Sequence, residues 1–151
     1  MYTVDQNVIV NKKISDDMDV ITASILSVLD NVDAIFLTGG FGRSEGSVLV
    51  NGGRCQPLND YDLVVITDSL ISEIVLESTR LKLAEICGIR QVDLALKRLN
   101  DLQDLEFTMS NYDLIHASTM IYGSIDIKKL SPDWSARNLP LPEGVFPLFL
   151  F

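Results

Sequence analysis

Two carboxylates one residue apart follow a glycine-rich turn, and this combination is the part of the sequence with the clearest chemistry. Apolar residues 34–37 run into Gly39 and Gly40 as a buried strand runs into a sharp turn, where backbone N–H groups can bind an anion. Asp60 and Asp62 come at the start of a second apolar run. The period of two along a strand places these two side chains on one face, roughly 6 to 7 Å apart.

Two carboxylates at that separation repel each other, and the repulsion raises the pKa of one of them. A divalent cation bound between them removes this penalty, and carboxylate oxygens are ligands that Mg²⁺ prefers. An anion-binding turn beside such a pair therefore indicates metal-assisted chemistry on a nucleotide.

The composition limits the class of protein. A chain of 151 residues with 47% hydrophobic residues is long enough for one domain with a proper core, and we expect an α/β domain over 1–151. Its core is expected at about 15–130, with an irregular Pro-containing tail at 131–151. The net charge of −9 argues against duplex nucleic acid as a partner.

The sequence also predicts a cytoplasmic protein without a membrane span. Cys55 and Cys87 are far apart without metal-ligand spacing, and residues 1–11 lack a basic segment followed by an apolar one. No apolar run reaches the roughly 20 residues that a spanning helix needs. The apolar chain end is expected to be covered by a partner domain or a second copy of the chain. Its residues are Phe146, Leu148, Phe149, Leu150 and Phe151.

Apolar spacing predicts three helices that would support a sheet. The first is predicted to begin with Ser15 as its N-cap, and the second to follow a cap at Asp68 or Ser69 and end at Gly88. The third is predicted to cover 111–122, with 121–123 as its exit into a short strand or turn. The predicted buried positions are Met18, Ile21, Ile25, Val28 and Leu29 in the first helix and Ile74, Leu81 and Ile86 in the second.

Three strands are predicted at 34–38, 61–67 and 90–97. The last of these alternates, so that its apolar residues face the core and Asp93 faces the other way. Between the first two strands, 48–58 contains a strong tight-turn signal and is predicted to form a hairpin or flap beside the site.

These residues resemble a known superfamily. The run 39–43, the Asp60-x-Asp62 pair and a later strand aspartate resemble the DNA polymerase β-like nucleotidyltransferase superfamily. More narrowly, the runs 39–46, 59–63 and 113–123 are similar to stand-alone bacterial nucleotidyltransferase-domain proteins, several of which accompany polysaccharide-assembly genes. The resemblance covers roughly residues 33–145 and implies a nucleotidyltransferase fold, with a small mixed β-sheet flanked by helices.

The resemblance implies a role for each residue of the site. Asp60 and Asp62 would bind two catalytic Mg²⁺ or Mn²⁺ ions, and Asp93 would complete the site of the ion that activates the acceptor hydroxyl. The triphosphate of the NTP substrate would be held by Gly39, Gly40, Gly42, Arg43 and Ser44. The implied reaction transfers a nucleoside monophosphate from an NTP to a hydroxyl of a small molecule, such as a sugar or sugar phosphate, or of a protein.

Other interpretations remain beside this one. A dinucleotide-binding motif fails at Glu45, where its third glycine should be, and no Gly-Lys-Ser/Thr follows for a Walker-type loop. Many relatives have Ser where Gly40 stands, and the segment 48–58 is an insertion relative to minimal members. A non-catalytic nucleotide-binding or regulatory subunit, or an antitoxin-like protein that nucleotidylates a partner, would share the fold. His116 is expected to be structural or at the surface.

Overall fold

The computed structural model describes residues 1–4 and 7–135, which form a mixed α/β domain. The strands are β1 (Val32–Thr38), β2 (Val48–Asn51), β3 (Arg54–Pro57), β4 (Tyr61–Thr67), β5 (Val92–Lys97) and β6 (Thr119–Gly123). The helices are α1 (Val8–Val28), α2 (Gly39–Gly42), α3 (Glu73–Cys87), α4 (Met109–His116) and α5 (Ile127–Leu130), with a 3-10 helix at Leu99–Asp104.

Four strands form the central sheet in the order β5-β4-β1-β6, and β2 and β3 form a separate hairpin. β1 is antiparallel to both β4 and β6, whereas β4 and β5 are parallel. One face of the sheet packs on α1 and α3, and the other packs on the 3-10 helix, α4 and α5. The prediction of a small mixed sheet flanked by helices is therefore confirmed.

The three predicted strands are confirmed as β1, β4 and β5. β1 and β4 are apolar on both faces because helices cover both sides of the central sheet. In β5, Val92 and Leu94 are buried and Asp93 is exposed, as the alternation predicted. The hairpin is also confirmed, with Gly52 and Gly53 at φ values of 56° and 77° in its turn.

The predicted start of the first helix was wrong, because α1 begins seven residues before Ser15. Its N-cap is Asn7, whose side chain accepts hydrogen bonds from the backbone N–H groups of Ile9 and Val10. Val10 and Ile14 continue the buried stripe of this helix toward its N-terminus. Val28, predicted to be buried, is 39% exposed at the last turn.

The predicted end of the second helix is confirmed at Gly88, which has a φ of 67°, but its cap and buried side were wrong. Ser72 caps α3 instead of Asp68 or Ser69. Ile74, Leu81 and Ile86 are all exposed, and the buried residues are Leu76, Thr79, Leu83, Ala84 and Cys87. Apolar residues occur on more than one side of this helix, and the sheet contacts the stripe with three- and four-residue spacing that begins at Leu76.

The third predicted helix was too long, since α4 ends at His116 and Thr119–Gly123 forms the edge strand β6. β1 needs a hydrogen-bonding partner on each side, and β6 supplies the second one. Gly123 has a φ of 95°, and a Cβ there would lie 2.2 Å from the backbone oxygen of Asp33. This close approach explains why a glycine ends the strand.

Two sequence predictions concern membranes and the chain end. Among the helices of residues 1–4 and 7–135, none is long and apolar enough to cross a membrane. The apolar end lies outside the described residues, and so do residues 136–151 of the predicted tail.

A buried polar network links α1 to the start of β4. Asp17 is 7% exposed, and one of its carboxylate oxygens accepts a hydrogen bond from the hydroxyl of Tyr61 at 2.7 Å. Lys13 forms an ion pair with Asp17 and also donates to the backbone oxygen of Cys87 at 3.2 Å. Burial, followed by the hydrogen bond and charge of Asp17, raises the pKa of Tyr61, so its hydroxyl remains protonated and can donate.

We expect Asp17→Ala to destabilise the fold by about 1–3 kcal/mol, because the substitution leaves the buried Tyr61 hydroxyl without its acceptor. The matched control is Asp16→Ala, which breaks the exposed Lys12–Asp16 pair of the same spacing and should cost about 0.3–0.5 kcal/mol. Urea unfolding of both variants measures the difference. Equal losses would contradict the structural role of the network.

Candidate functional site

The three predicted carboxylates lie at one end of the sheet, where β1 ends and β4 and β5 begin. Asp62 is opposite Thr38 in the antiparallel ladder and beside Asp93 in the parallel one. Asp60 immediately precedes β4. The fold therefore brings together three acidic residues that are up to 33 positions apart in the sequence.

Tyr61 determines which way the two neighbouring aspartates face. Its side chain is fully buried on the α1 side, where its ring makes an edge-to-face contact with Phe41 at 5.1 Å between centroids. Because successive side chains of a strand alternate, Asp60 and Asp62 face the opposite side, toward α4. Phe41 belongs to α2, so one core contact ties the glycine turn to the carboxylate pair.

The glycines of the turn differ in the space around them. Gly39 has a φ of 62°, and a Cβ there would lie 2.0 Å from Oδ2 of Asp62. A Cβ on Gly42 would lie 2.4 Å from the backbone oxygen of Leu37. At Gly40, by contrast, the nearest side-chain atom would be 3.8 Å away, which is an ordinary contact. Gly39 is thus required for the close approach of the Asp62 carboxylate to the backbone.

Asp62 lies in an electrostatically unfavourable environment. Burial raises the pKa of this carboxyl, and the negative charges of Asp93 and Asp60 raise it further, with a smaller contribution from Asp113. The positive charge of Arg43 opposes these effects and lowers the pKa. The net result is a raised pKa, as expected for a partly buried carboxylate beside other carboxylates.

Arg43 follows the glycine turn and forms two ion pairs. Its Nε donates to Glu45 at 2.9 Å, and its Nη1 donates to Asp113 of α4. These carboxylates and their hydrogen bonds raise the pKa of the guanidinium group. The hydroxyl of Ser44, predicted to contact phosphate, donates instead to the backbone oxygen of Met1 at 2.7 Å in this structure.

Asp113 was not predicted as a site residue. It lies within the run 113–123 that contributed to the family resemblance, but nothing in its local pattern distinguishes it from an ordinary polar residue of a helix. Its contact with Arg43 joins residues 70 positions apart. Only the packing of α4 on the sheet places it at the site.

The hairpin of β2 and β3 closes at its base. The backbone N–H of Ser47 donates to the side-chain oxygen of Asn59 at 2.7 Å, and that of Leu58 donates to the backbone oxygen of Ser47 at 2.8 Å. These bonds bring the two ends of the segment 48–58 together. The chain therefore enters β4 directly beside the glycine turn.

The carboxylates fit a divalent cation in the type of donor that they offer. Asp60, Asp62 and Asp93 supply hard oxygen ligands, and Asp62 and Asp93 are paired residues of the β4–β5 ladder. Within residues 1–4 and 7–135, no group of three Asp, Glu, His or Cys side chains is arranged so that it could hold a metal ion. Asp93 instead accepts a hydrogen bond from the side-chain amide of Gln91 at 2.6 Å.

Two open clefts meet at Asp93. One, of about 280 Å³, includes Thr38, Asp62, Arg80 and Ser110, and lies between the sheet and α4. The other, of about 320 Å³, lies between α3 and the beginning of β5. Both clefts include Arg80 and Asp93, so two molecules could approach this carboxylate from different directions.

His116 does not join the carboxylates. It is exposed at the end of α4, where its ring is tilted against that of Tyr112 with 4.5 Å between centroids. Partial burial lowers its pKa, and Lys128 lowers it further. The structure thus agrees with the expectation of a structural or surface role.

The arrangement of strands, glycine turn and acidic pair defines a class of fold. The described chain has the nucleotidyltransferase fold, and its structural neighbours have the same fold. No protein-family model matches the sequence, and no curated protein matches it either.

Several solved structures that resemble the chain are of toxin–antitoxin proteins. One is the MntA–HpeT pair with two Asp-to-Glu substitutions, at 14% identity and a TM-score of 0.51, with 76% of this chain and 80% of that chain covered. A second is a toxin–antitoxin with AMP-PNP, at 16% identity, the same coverage and a TM-score of 0.51. A third, a Tyr-to-Ala mutant of MntA–HpeT, has 15% identity, coverage of 75% and 78%, and a TM-score of 0.51. At these identities the likeness shows the fold alone.

Proposed function

We propose that the protein is a metal-dependent nucleotidyltransferase. In the proposed reaction the hydroxyl oxygen of an acceptor attacks the α-phosphorus of an NTP, the bond from that phosphorus to the oxygen bridging the α- and β-phosphates breaks, and pyrophosphate and the hydroxyl proton are released. The observation that supports this most is the juxtaposition of Asp62 and Asp93 in one ladder, with Asp60 beside them and a glycine turn against the Asp62 carboxylate. A structural turn alone would not require the missing Cβ to face a carboxylate. The neighbour that contains AMP-PNP is consistent with nucleotide binding by this fold.

Each group has a separate task in this proposal. Asp60, Asp62 and Asp93 would hold Mg²⁺, while the backbone of the glycine turn and Arg43 would hold the triphosphate. Two bound Mg²⁺ ions would lower the pKa of the acceptor hydroxyl and stabilise charge on the attacking and leaving oxygens. Because Asp93 lies at the edge of the sheet next to its own cleft, the acceptor hydroxyl would approach from that side.

The acceptor defines two candidate functions. A small molecule such as a sugar or sugar phosphate would fit the cleft beside Asp93, which also contains the side chains of Arg80 and Arg90. A protein acceptor, as for an antitoxin that nucleotidylates its partner, is favoured by the neighbours that are toxin–antitoxin pairs. On α3 beside this cleft, Ile74 and Leu81 are 82% and 64% exposed and could contact such a partner.

We place either enzyme in the cytoplasm, since both cysteines are free.

Thermal unfolding with ATP, CTP, GTP and UTP, each with and without Mg²⁺, tests the nucleotide site. A nucleotide at a hundred times its dissociation constant should stabilise the fold by about 2.7 kcal/mol, or about 5–10 °C for a domain of this size. The increase should require Mg²⁺ and disappear in Asp60→Asn/Asp62→Asn. The matched control is Asp16→Asn/Asp19→Asn, which removes the same charge from the exposed side of α1.

The results separate the proposal from its rivals. No metal-dependent shift with any of the four nucleotides would contradict it. A shift without turnover, when candidate small acceptors and candidate partner proteins are supplied, would indicate a non-catalytic nucleotide-binding subunit with the same fold.

A further inference from the structure

The guanidinium group of Arg43 is held at two points and has one end free. Its Nε donates to Glu45 and its Nη1 donates to Asp113, whereas its Nη2 has no hydrogen-bond partner within residues 1–4 and 7–135. A guanidinium is planar and has five N–H donors in fixed directions. The bonds at Nε and Nη1 therefore fix its plane, and the two N–H groups of Nη2 remain for another acceptor.

The contact with Asp113 is the more buried of the two. The side chain of Asp113 is 18% exposed, compared with 61% for Glu45 and 38% for Arg43. Its neighbours Leu114 and Ile115 are buried in the core and fix the helix that carries it. A partly buried carboxylate on a packed helix holds its partner more firmly than an exposed one does.

A second contact joins the same two regions. The hydroxyl of Thr119, at the start of β6, donates to the backbone oxygen of Gly42 at 3.1 Å. The segment from α4 to β6 thus holds the glycine turn by its backbone and by the side chain of Arg43. The position of Arg43 relative to the turn is consequently determined by the tertiary fold.

Arg43 also lies close to the acidic cluster. Its backbone N–H donates to the backbone oxygen of Gly39 at 3.0 Å, and the backbone of Gly39 lies against the carboxylate of Asp62. Arg43 is therefore anchored beside the carboxylates that would hold Mg²⁺.

We propose that Asp113, together with Glu45, is a positioning residue of the nucleotide site, and that it orients Arg43 so that Nη2 donates to an oxygen of the β- or γ-phosphate of the bound NTP. This inference rests on the proposed nucleotide-binding function. The opposite arrangement, in which Asp113 competes with phosphate for Arg43, would need the ion pair to break on binding. Neither ion pair has to break, because Glu45 and Asp113 accept from Nε and Nη1 and leave the N–H groups of Nη2 for phosphate.

The test measures dissociation constants for the Mg²⁺ complexes of the four nucleoside triphosphates and for their monophosphates. We expect Asp113→Ala to weaken binding of the preferred triphosphate about tenfold and binding of its monophosphate less than about twofold. Asp113→Asn should restore binding to within about threefold of the native protein, since its amide oxygen can still accept from Nη1. The control Asp126→Ala breaks another carboxylate pair, with Lys129, and should change neither constant.

Each outcome decides the matter. Triphosphate binding by Asp113→Ala that is unchanged or tighter would overturn the proposal, and so would equal losses for triphosphate and monophosphate. If Asp113→Ala fails to fold, Glu45→Ala and Glu45→Gln provide the same comparison at an exposed position. Failure of the native protein to bind any triphosphate would instead refute the proposed function.

The double variant Arg43→Ala/Asp113→Ala completes the experiment. A positioning residue acts only through Arg43, so the double variant should bind triphosphate no more weakly than Arg43→Ala alone. Additive losses would mean that Asp113 acts independently of Arg43 and would contradict the inference.

Discussion

Replacing Asp62 by Asn is expected to abolish nucleotide transfer and, at the same time, to make the metal-free protein more stable. Activity should fall at least about a thousandfold, because the site would lose a ligand of ions that supply several kcal/mol of charge stabilisation. Stability should rise because the native carboxylate is partly buried among other acidic groups and its pKa is raised.

The raised pKa of Asp62 determines how the stability of the native protein changes with pH. The folded-state pKa of Asp62 is above its ordinary value of 3.8, so the folded protein binds this proton more tightly than the unfolded chain does. The ionised carboxylate therefore destabilises the fold above the folded-state pKa. The native protein regains this stability as the pH falls through the folded-state pKa and Asp62 becomes protonated. Asp62→Asn has no carboxyl at this position, so its stability does not rise in the same way.

Thermal unfolding in EDTA at neutral and mildly acidic pH, together with turnover in Mg²⁺, measures both effects. Asp16→Asn is the matched control, since it removes an exposed carboxylate that pairs with Lys12. Turnover at the native rate by Asp62→Asn would remove the proposed mechanism from consideration. A lower melting temperature in EDTA would contradict the electrostatic account of this cluster.

The strands that form the site could be predicted because their patterns are strong and local. β1 and β4 are continuous apolar runs, and β5 alternates between buried and exposed positions. Each run has acidic or glycine residues at one end, and the antiparallel and parallel ladders bring those ends together. The ladders thus place Asp60, Asp62 and Asp93 at one end of the sheet, and the role of these residues as a metal site stays a prediction.

The helix boundaries and buried faces depended on information beyond the local pattern. Ser15 and Asn7 are both suitable N-caps, and the earlier one is used because the apolar stripe continues back to Val10. α3 has apolar residues on two sides, and only the position of the sheet selects Leu76 over Ile74. Likewise, the apolar spacing of residues 111–122 predicted a helix that extended into β6. The pairing of β6 with β1 joins segments far apart in the sequence, so the local spacing does not indicate it.

The site itself shows the same division between local and tertiary information. A glycine turn followed by acidic residues could be recognised from the chain alone. The contacts of Arg43 with Asp113 and of Thr119 with Gly42 join residues 70 and 77 positions apart. No periodic pattern encodes such pairs, so the contribution of α4 and β6 to the site could not be predicted.

Gly39 and Gly40 are adjacent residues of the same type, yet we expect opposite results from substituting each by alanine. Gly39→Ala introduces a Cβ 2.0 Å from Oδ2 of Asp62 at a φ of 62°. The left-handed backbone alone should cost about 1–2 kcal/mol, and displacement of the carboxylate should lower kcat/KM about a hundredfold. Gly40→Ala has room for its Cβ and should stabilise the fold by about 0.4–1 kcal/mol.

A double-variant cycle separates the two causes at Gly39. In an Asp62→Ala background the carboxylate is absent, so Gly39→Ala should retain the cost of its backbone conformation and lose the cost of the clash. Urea unfolding should therefore show that Gly39→Ala is less destabilising in that background by about 0.5–3 kcal/mol, the usual range for residues in contact. Identical costs in both backgrounds would mean that Gly39 is required only for the turn. The approach of the Asp62 carboxylate to the backbone would then have no energetic link to the glycine.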